Sequence, residues 1–178
     1  KTHWNTQMIN ITFPDNSIKV FENIPTGMDV AKSISDGFAR NCVAMKINEK
    51  LLDLNQTIKE DTCISFITAN DDEGLEILRH SSAHVMAEAV LNIYSNAKLT
   101  IGPVVEDGFY YDIDMDPVSK DDFGAIETEM KKIIKAKNTF ERKVVSRNKA
   151  LEIFKDNPFK LELINELDET QEISLYQN

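Results

Sequence analysis

The chain has 178 residues, of which 42% are hydrophobic and 28% charged, with a formal net charge of −10. A chain of this length and balance buries a real core, as one medium domain or two small ones. No apolar run approaches the roughly 18 residues of a membrane span, no signal-peptide pattern is present, and the acidic balance argues against nucleic-acid binding by the whole surface.

Lys1 to Gln7 (KTHWNTQ) has no periodicity and precedes Met8, and is read as a leader or expression remnant. From Met8 the pattern is regular. Ile9, Ile11 and Phe13 alternate as in a half-buried strand, Pro14 to Ser17 turn, and Ile18 to Phe21 return, which predicts a hairpin. Thr26-Gly27-Met28-Asp29 is a capping box opening a helix with Val30, Ala31 and Ile34 inward, ending near Gly37. Val43, Met45 and Ile47 alternate again, Asn48 to Lys50 turn, Leu51-Leu52 return, and Cys63 to Thr68 form a final strand. Hairpin, helix, hairpin and closing strand make the β-grasp, or ubiquitin-like, order. Modules of this kind usually bind partners, and no catalytic residue stands out in it.

Asn70 to Gly74 forms an acidic hinge that also places negative charge at the start of a long helix. The domain boundary falls here, with residues 8–69 as one domain and 70–178 as a second. The helix carries His80 and His84, two of only three histidines; the third, His3, lies in the leader. At roughly 100° per residue, Leu75, Leu78, Val85, Met86, Ala89, Val90 and Ile93 share a broad apolar face. The two histidines lie about 40° apart and off its centre, with small Ala83 and Ala87 leaving room for the rings. Two imidazoles at this spacing can converge on one metal, water or substrate; two separately hydrogen-bonded histidines are the plain alternative. A zincin helix is excluded, because Ser81 stands where that motif needs glutamate.

Leu99 to Ile101 and Phe109 to Asp114 read as strands. The loop between them, Gly102 to Gly108, has the glycines that close backbone approach to a substrate requires, or is a plain glycine turn. Ser119 to Asp122 cap a helix with the stripe Phe123, Ile126, Met130, Ile133 and Ile134. Phe140 to Val145 is strand-like. Ser146 caps a short helix through Phe154, Pro158 ends it, and Phe159 to Ile164 start another turn or two before a strand at Ile173 to Tyr176. Between Lys131 and Lys149 eight basic residues face one acid, Glu141. That excess could meet phosphates, although Lys131 to Lys137 also suit a helix C-terminus. Cys42 and Cys63 are expected as reduced core thiols, which fits a cytoplasmic protein, and Cys-x-x-Cys is absent.

Several of these stretches, in order, resemble one family. MINITFPDNS and PTGMDVAKSI are similar to the TGS domain of threonyl-tRNA synthetases. DDEGLEILRHSSAHVMAEAV, IGPVVEDGFYYDID and NPFKLELINE are similar to the start of that family's editing domain, which hydrolyses seryl-tRNA made in error. The resemblance runs from Met8 to about Tyr176. It implies an α+β chain: a β-grasp TGS domain, then an incomplete editing domain built on the histidine helix. By resemblance His80, His84, Tyr111 and Lys160 are catalytic, while Gly102, Pro103 and Asp112 shape the substrate pocket. The family's Cys-x-Gly-Pro-His motif, expected a short way past Asn178, supplies the other half of the cleft and is absent from this chain.

The resemblance further implies tRNA(Thr) as partner and a cytoplasmic, homodimeric full-length enzyme using ATP, magnesium and a catalytic-domain zinc. No metal or cofactor is expected in this piece, which on its own would be inactive in aminoacylation and in editing, and monomeric or self-associated through an unpaired edge near Ile173 to Tyr176. Two other classes compete. One is a TGS-containing binding module without catalysis; the other is a free-standing metal-dependent hydrolase using the two histidines as ligands.

Overall fold

The structure, a computed structural model, describes residues 8–136, 141–171 and 173–177. The leader, His3, Lys137 and Phe140 lie outside the described residues. The chain is α+β and divides into two compact units, one through Leu78 and one from Arg79.

The first unit begins with β1 (Ile9–Thr12) and β2 (Ile18–Phe21), the expected hairpin, with Ile11 opposite Lys19. Helix α1 (Gly27–Ile34) follows, then α2 (Asp36–Asn41), β3 (Cys42–Ile47), β4 (Lys50–Leu52) and β5 (Thr62–Thr68). The strands form one sheet in the order β2-β1-β5-β3-β4, in which β1 and β5 run parallel and the other neighbours antiparallel. This is the β-grasp. Period-2 alternation puts Ile9, Ile11, Met45 and Ile64 on the inner face, where they meet Val30 and Ala31 of α1. Each buried branched side chain contributes about 1.5–3 kcal/mol, so this cluster is the main stabilising term of the unit.

Thr26 caps α1 as its sequence predicts. Its hydroxyl accepts from the Asp29 N–H, and the Asp29 carboxylate accepts from the Thr26 N–H, at 3.1 and 2.9 Å. Those hydrogen bonds hold the Asp29 carboxyl below its ordinary range. Three expectations are corrected here. The helix stops at Ile34, not Gly37, because Ser35 is extended; its hydroxyl then caps α2 by accepting from the Phe38 N–H at 3.0 Å. Ile34 is exposed, not inward. Cys42 is buried, whereas Cys63 is exposed on β5; both are free thiols.

The helix α3 (Asp72–Ile93) starts in the first unit. Gly74 is required there, since a Cβ on it would lie 1.8 Å from the Thr68 carbonyl oxygen. Just before the helix, the Asp71 carboxylate accepts from the Thr68 N–H at 2.7 Å. Glu73 in the first turn pairs with Lys46 at 2.8 Å.

In the second unit the buried residues of α3 are Ala83, Val85, Ala87, Ala89 and Val90. The predicted face is therefore displaced: Ile93 is exposed, as are Leu75 and Leu78 before the division, and the small alanines do the close packing. Two short antiparallel pairs follow. Strands β6 (Lys98–Leu99) and β9 (Ile113–Asp114) bracket the hairpin of β7 (Val104–Val105) and β8 (Gly108–Phe109). A Cβ on Gly108 would meet open space, so close approach is not its reason for being glycine.

Ser119 makes its predicted capping box with Asp122, which opens a 3-10 turn leading into α4 (Phe123–Ala136). The stripe of α4 is only partly covered, with Phe123 and Ile134 exposed. Asn92 of α3 donates to Glu129 of α4 at 3.2 Å. Strand β10 (Glu141–Val145), α5 (Arg147–Ile153), α6 (Pro158–Glu166) and β11 (Ile173–Gln177) complete the unit. Pro158 does not end α5: it occupies the first turn of α6, where a missing N–H costs nothing. The Ile173 to Tyr176 strand is paired on one side along its length with β10, and Ile173 is buried with Ala150 and Ile164.

Among the described residues, no helix is long and apolar enough to cross a membrane.

Candidate active site

The second unit brings five of the expected residues together, His80 and His84 with Lys160 near them, and Tyr111 against Gly102. On α3, one helical turn sets His80 below His84, and their Nε2 atoms stand 3.1 Å apart with the rings nearly perpendicular. His80 is exposed and His84 half-buried. Burial holds the His84 imidazole below its ordinary pKa, and the neighbouring His80 and the Lys160 ammonium lower it further.

Lys160 lies in the first turn of α6. Its Nζ donates to the Thr100 carbonyl oxygen at 2.8 Å, and burial lowers its pKa. The backbone here is fixed by Asn157, the residue that caps α6. Asn157 Oδ1 accepts from the Lys160 N–H at 3.2 Å, while Nδ2 donates to the Leu99 carbonyl at 3.0 Å. At the other end of α6, the Arg147 guanidinium donates to the carbonyls of Ile164 and Leu167.

Tyr111 and Gly102 form the second contact. A Cβ on Gly102 would fall 2.2 Å from Tyr111 Cδ2, so the ring lies flush against the glycine backbone. Tyr111 is half-buried, which raises its phenol pKa. Asp112 acts through its backbone: its carbonyl accepts from the Thr100 N–H at 3.1 Å and the Thr100 hydroxyl at 2.6 Å, and its N–H donates to Ile101. The Asp112 side chain is exposed. Pro103 is half-buried, and its carbonyl accepts from the Tyr110 N–H. Thr100 therefore joins the two contacts, holding Lys160 with its carbonyl and the backbone after Tyr111 with its amide and hydroxyl.

A cleft of about 640 Å³ opens beside this group. Leu91, Leu99, Ile153 and Phe154 give it apolar walls, Asn157 and Lys160 stand at one side, and the two histidines lie outside its walls.

Thr100 and Asn157 escaped the sequence reading. Asn157-Pro158 is a cap followed by a first-turn proline and was legible as a helix start; Thr100 carries no local signal. Among the described residues, no group of three or more His, Cys, Asp or Glu is arranged to hold a metal. The basic stretch is partly committed inside the unit: Lys132 pairs with Glu129, Lys149 with Glu152, and Arg147 closes α6.

Residues 9–68 match the family model described as the TGS domain. Over 170 residues, 96% of this chain, it is 64% identical to a threonine–tRNA ligase of Desulforapulum autotrophicum and 59% identical to one of Desulfatibacillum aliphaticivorans. A threonine–tRNA ligase of Staphylococcus carnosus is 47% identical over 94% of the chain. The chain spans about a quarter of the length of these relatives, 26–27%. Across nearly all its residues the chain is thus similar to one stretch, about a quarter, of the threonine–tRNA ligases, and within that stretch residues 9–68 are a TGS domain.

Proposed function

We propose that this chain is the TGS and editing region of a threonine–tRNA ligase, and that in the full-length enzyme its second unit supplies one half of the site that hydrolyses seryl-tRNA(Thr). The chemical need is specific. Serine lacks one methyl of threonine and keeps the hydroxyl, and a binding pocket rejects so small a difference only weakly. A separate hydrolytic site removes the error. The observation that carries this reading is the His80–His84 pair at 3.1 Å, with the Lys160 ammonium close enough to depress His84.

Each group has a role suited to its environment. A neutral imidazole accepts a proton from water as the water oxygen bonds to the ester carbon. The Lys160 ammonium, one N–H of which is engaged by Thr100, stabilises negative charge developing on the ester oxygen. The proton then passes to the departing ribose oxygen. Tyr111 against Gly102, with Pro103 and the Asp112 backbone, walls the aminoacyl end.

The whole protein attaches threonine to tRNA(Thr) with ATP and magnesium, with a zinc ion in its aminoacylation domain, as a cytoplasmic homodimer. None of those groups is assigned to residues of this chain, and two imidazoles fall short of the three or four protein ligands usual for zinc. The test is misacylation. A full-length ligase carrying His80→Ala, given serine, ATP and tRNA(Thr), accumulates seryl-tRNA that the unaltered enzyme clears. Absence of seryl-tRNA in the variant, with threonylation intact, overturns the reading.

A further inference from the structure

The geometry points to Asn157 as the residue that positions Lys160, an inference that rests on the hydrolytic reading of the site. Lys160 meets the Leu99-Thr100 segment through two routes. Its ammonium reaches the Thr100 carbonyl at 2.8 Å, and its own N–H is held by Asn157, whose Nδ2 is anchored on the adjacent Leu99 carbonyl at 3.0 Å. One side chain thus ties the start of α6 to the residue beside the one that receives the ammonium. A lysine has four rotatable side-chain bonds and reaches many places. Fixing its backbone within one residue of its acceptor narrows that choice to the neighbourhood of His84.

Capping and anchoring are separable in Asn157. The cap uses Oδ1; the anchor uses Nδ2. Serine and aspartate both cap helices well. Serine is too short to reach Leu99, and an aspartate carboxylate has no N–H to donate. A residue that merely caps α6 tolerates both replacements; one that anchors the helix start tolerates neither.

The experiment measures the exchange of the Lys160 ammonium protons with water by nitrogen-15 correlated NMR, in this chain and in its Asn157→Ser and Asn157→Asp variants. Far-UV circular dichroism checks that α6 persists. Both variants are expected to exchange about five- to tenfold faster, the factor that one ordinary hydrogen bond controls. An unchanged rate in either variant overturns the inference; a change confined to aspartate would be an effect of its charge. In the full-length ligase, Asn157→Ser is expected to lower kcat for seryl-tRNA hydrolysis at unchanged KM, and an equal loss in KM alone contradicts positioning. Faster ammonium exchange, with hydrolysis indifferent to both Asn157→Ser and Lys160→Ala, upholds the anchor and overturns the hydrolytic reading instead.

Discussion

His84 Nε2 stands 3.1 Å from His80 Nε2, with the two rings set edge to face at 83°. At that distance one imidazole donates and the other accepts, so one proton is shared along the contact. A positive charge on His84 is opposed by burial, by its neighbour and by the Lys160 ammonium.

The first prediction is a pH dependence. His84 titrates below the ordinary histidine value near 6.5 because burial, His80 and Lys160 all disfavour its cation. The unfolded chain therefore binds the proton first as pH falls. Above about pH 6.5 both states are neutral at His84 and its contribution to stability is fully present. Between that pH and the lower folded value the contribution is lost. Proton NMR should show the His84 ring shift moving at lower pH than that of an exposed histidine, and His80→Ala should bring it upward. A His84 midpoint at or above 6.5 would contradict the geometry.

A second prediction concerns Gly102. Its absent Cβ would lie 2.2 Å from the Tyr111 ring, so Gly102→Ala must displace one of them. The expected cost is about 1–3 kcal/mol in the second unit, the usual range for overpacking. Tyr111→Ala removes the obstacle, and the double variant should lose less than the two single changes summed. Strict additivity in chemical denaturation would mean that the two residues do not meet.

The β3–β4 turn offers a third. Asn48 and Glu49 both have positive φ, 50° and 62°, as a two-residue hairpin of this hand demands. Asparagine tolerates that region, whereas glutamate is strained there by about 1–2 kcal/mol. Glu49→Gly should stabilise the first unit by about 0.5–1 kcal/mol, glycine's greater unfolded freedom offsetting part of the relief. A lower urea midpoint for that unit would refute it.

A fourth concerns metal. His80 and His84 together offer fewer protein ligands than zinc usually takes, and no third His, Cys, Asp or Glu joins them among the described residues. After dialysis, elemental analysis of this chain should find well under one zinc per molecule. A tightly held stoichiometric zinc would move the chain to the metal-dependent hydrolase class.

What the sequence made legible was local chemistry. Thr26, Ser119 and Ser146 each cap the helix that follows through bonds spanning two or three residues, so a short motif suffices to find them. Ser35 misled because one residue ends α1 and begins α2, and Ser-Asp-Gly reads as a stop. On α3 the apolar face read from the sequence holds at Val85, Ala89 and Val90, which are buried, but fails at Leu75, Leu78 and Ile93, which are exposed; Ala83 and Ala87, set beside the histidines in the sequence, are buried instead because their small size permits close packing. The Lys160–Thr100 hydrogen bond joins residues 60 apart, and nothing local encodes it. Only the family resemblance points to Lys160 in the sequence.

The central claim is that the group of His80, His84 and Lys160 hydrolyses seryl-tRNA. Its most direct measurement is the first-order decay of preformed seryl-tRNA(Thr) with full-length ligase carrying His84→Ala, beside threonylation by the same preparation. The account predicts that decay falls at least about 100-fold, the low end for losing a positioned acid or base, while threonylation stays within about twofold. Decay at the unaltered rate would contradict it.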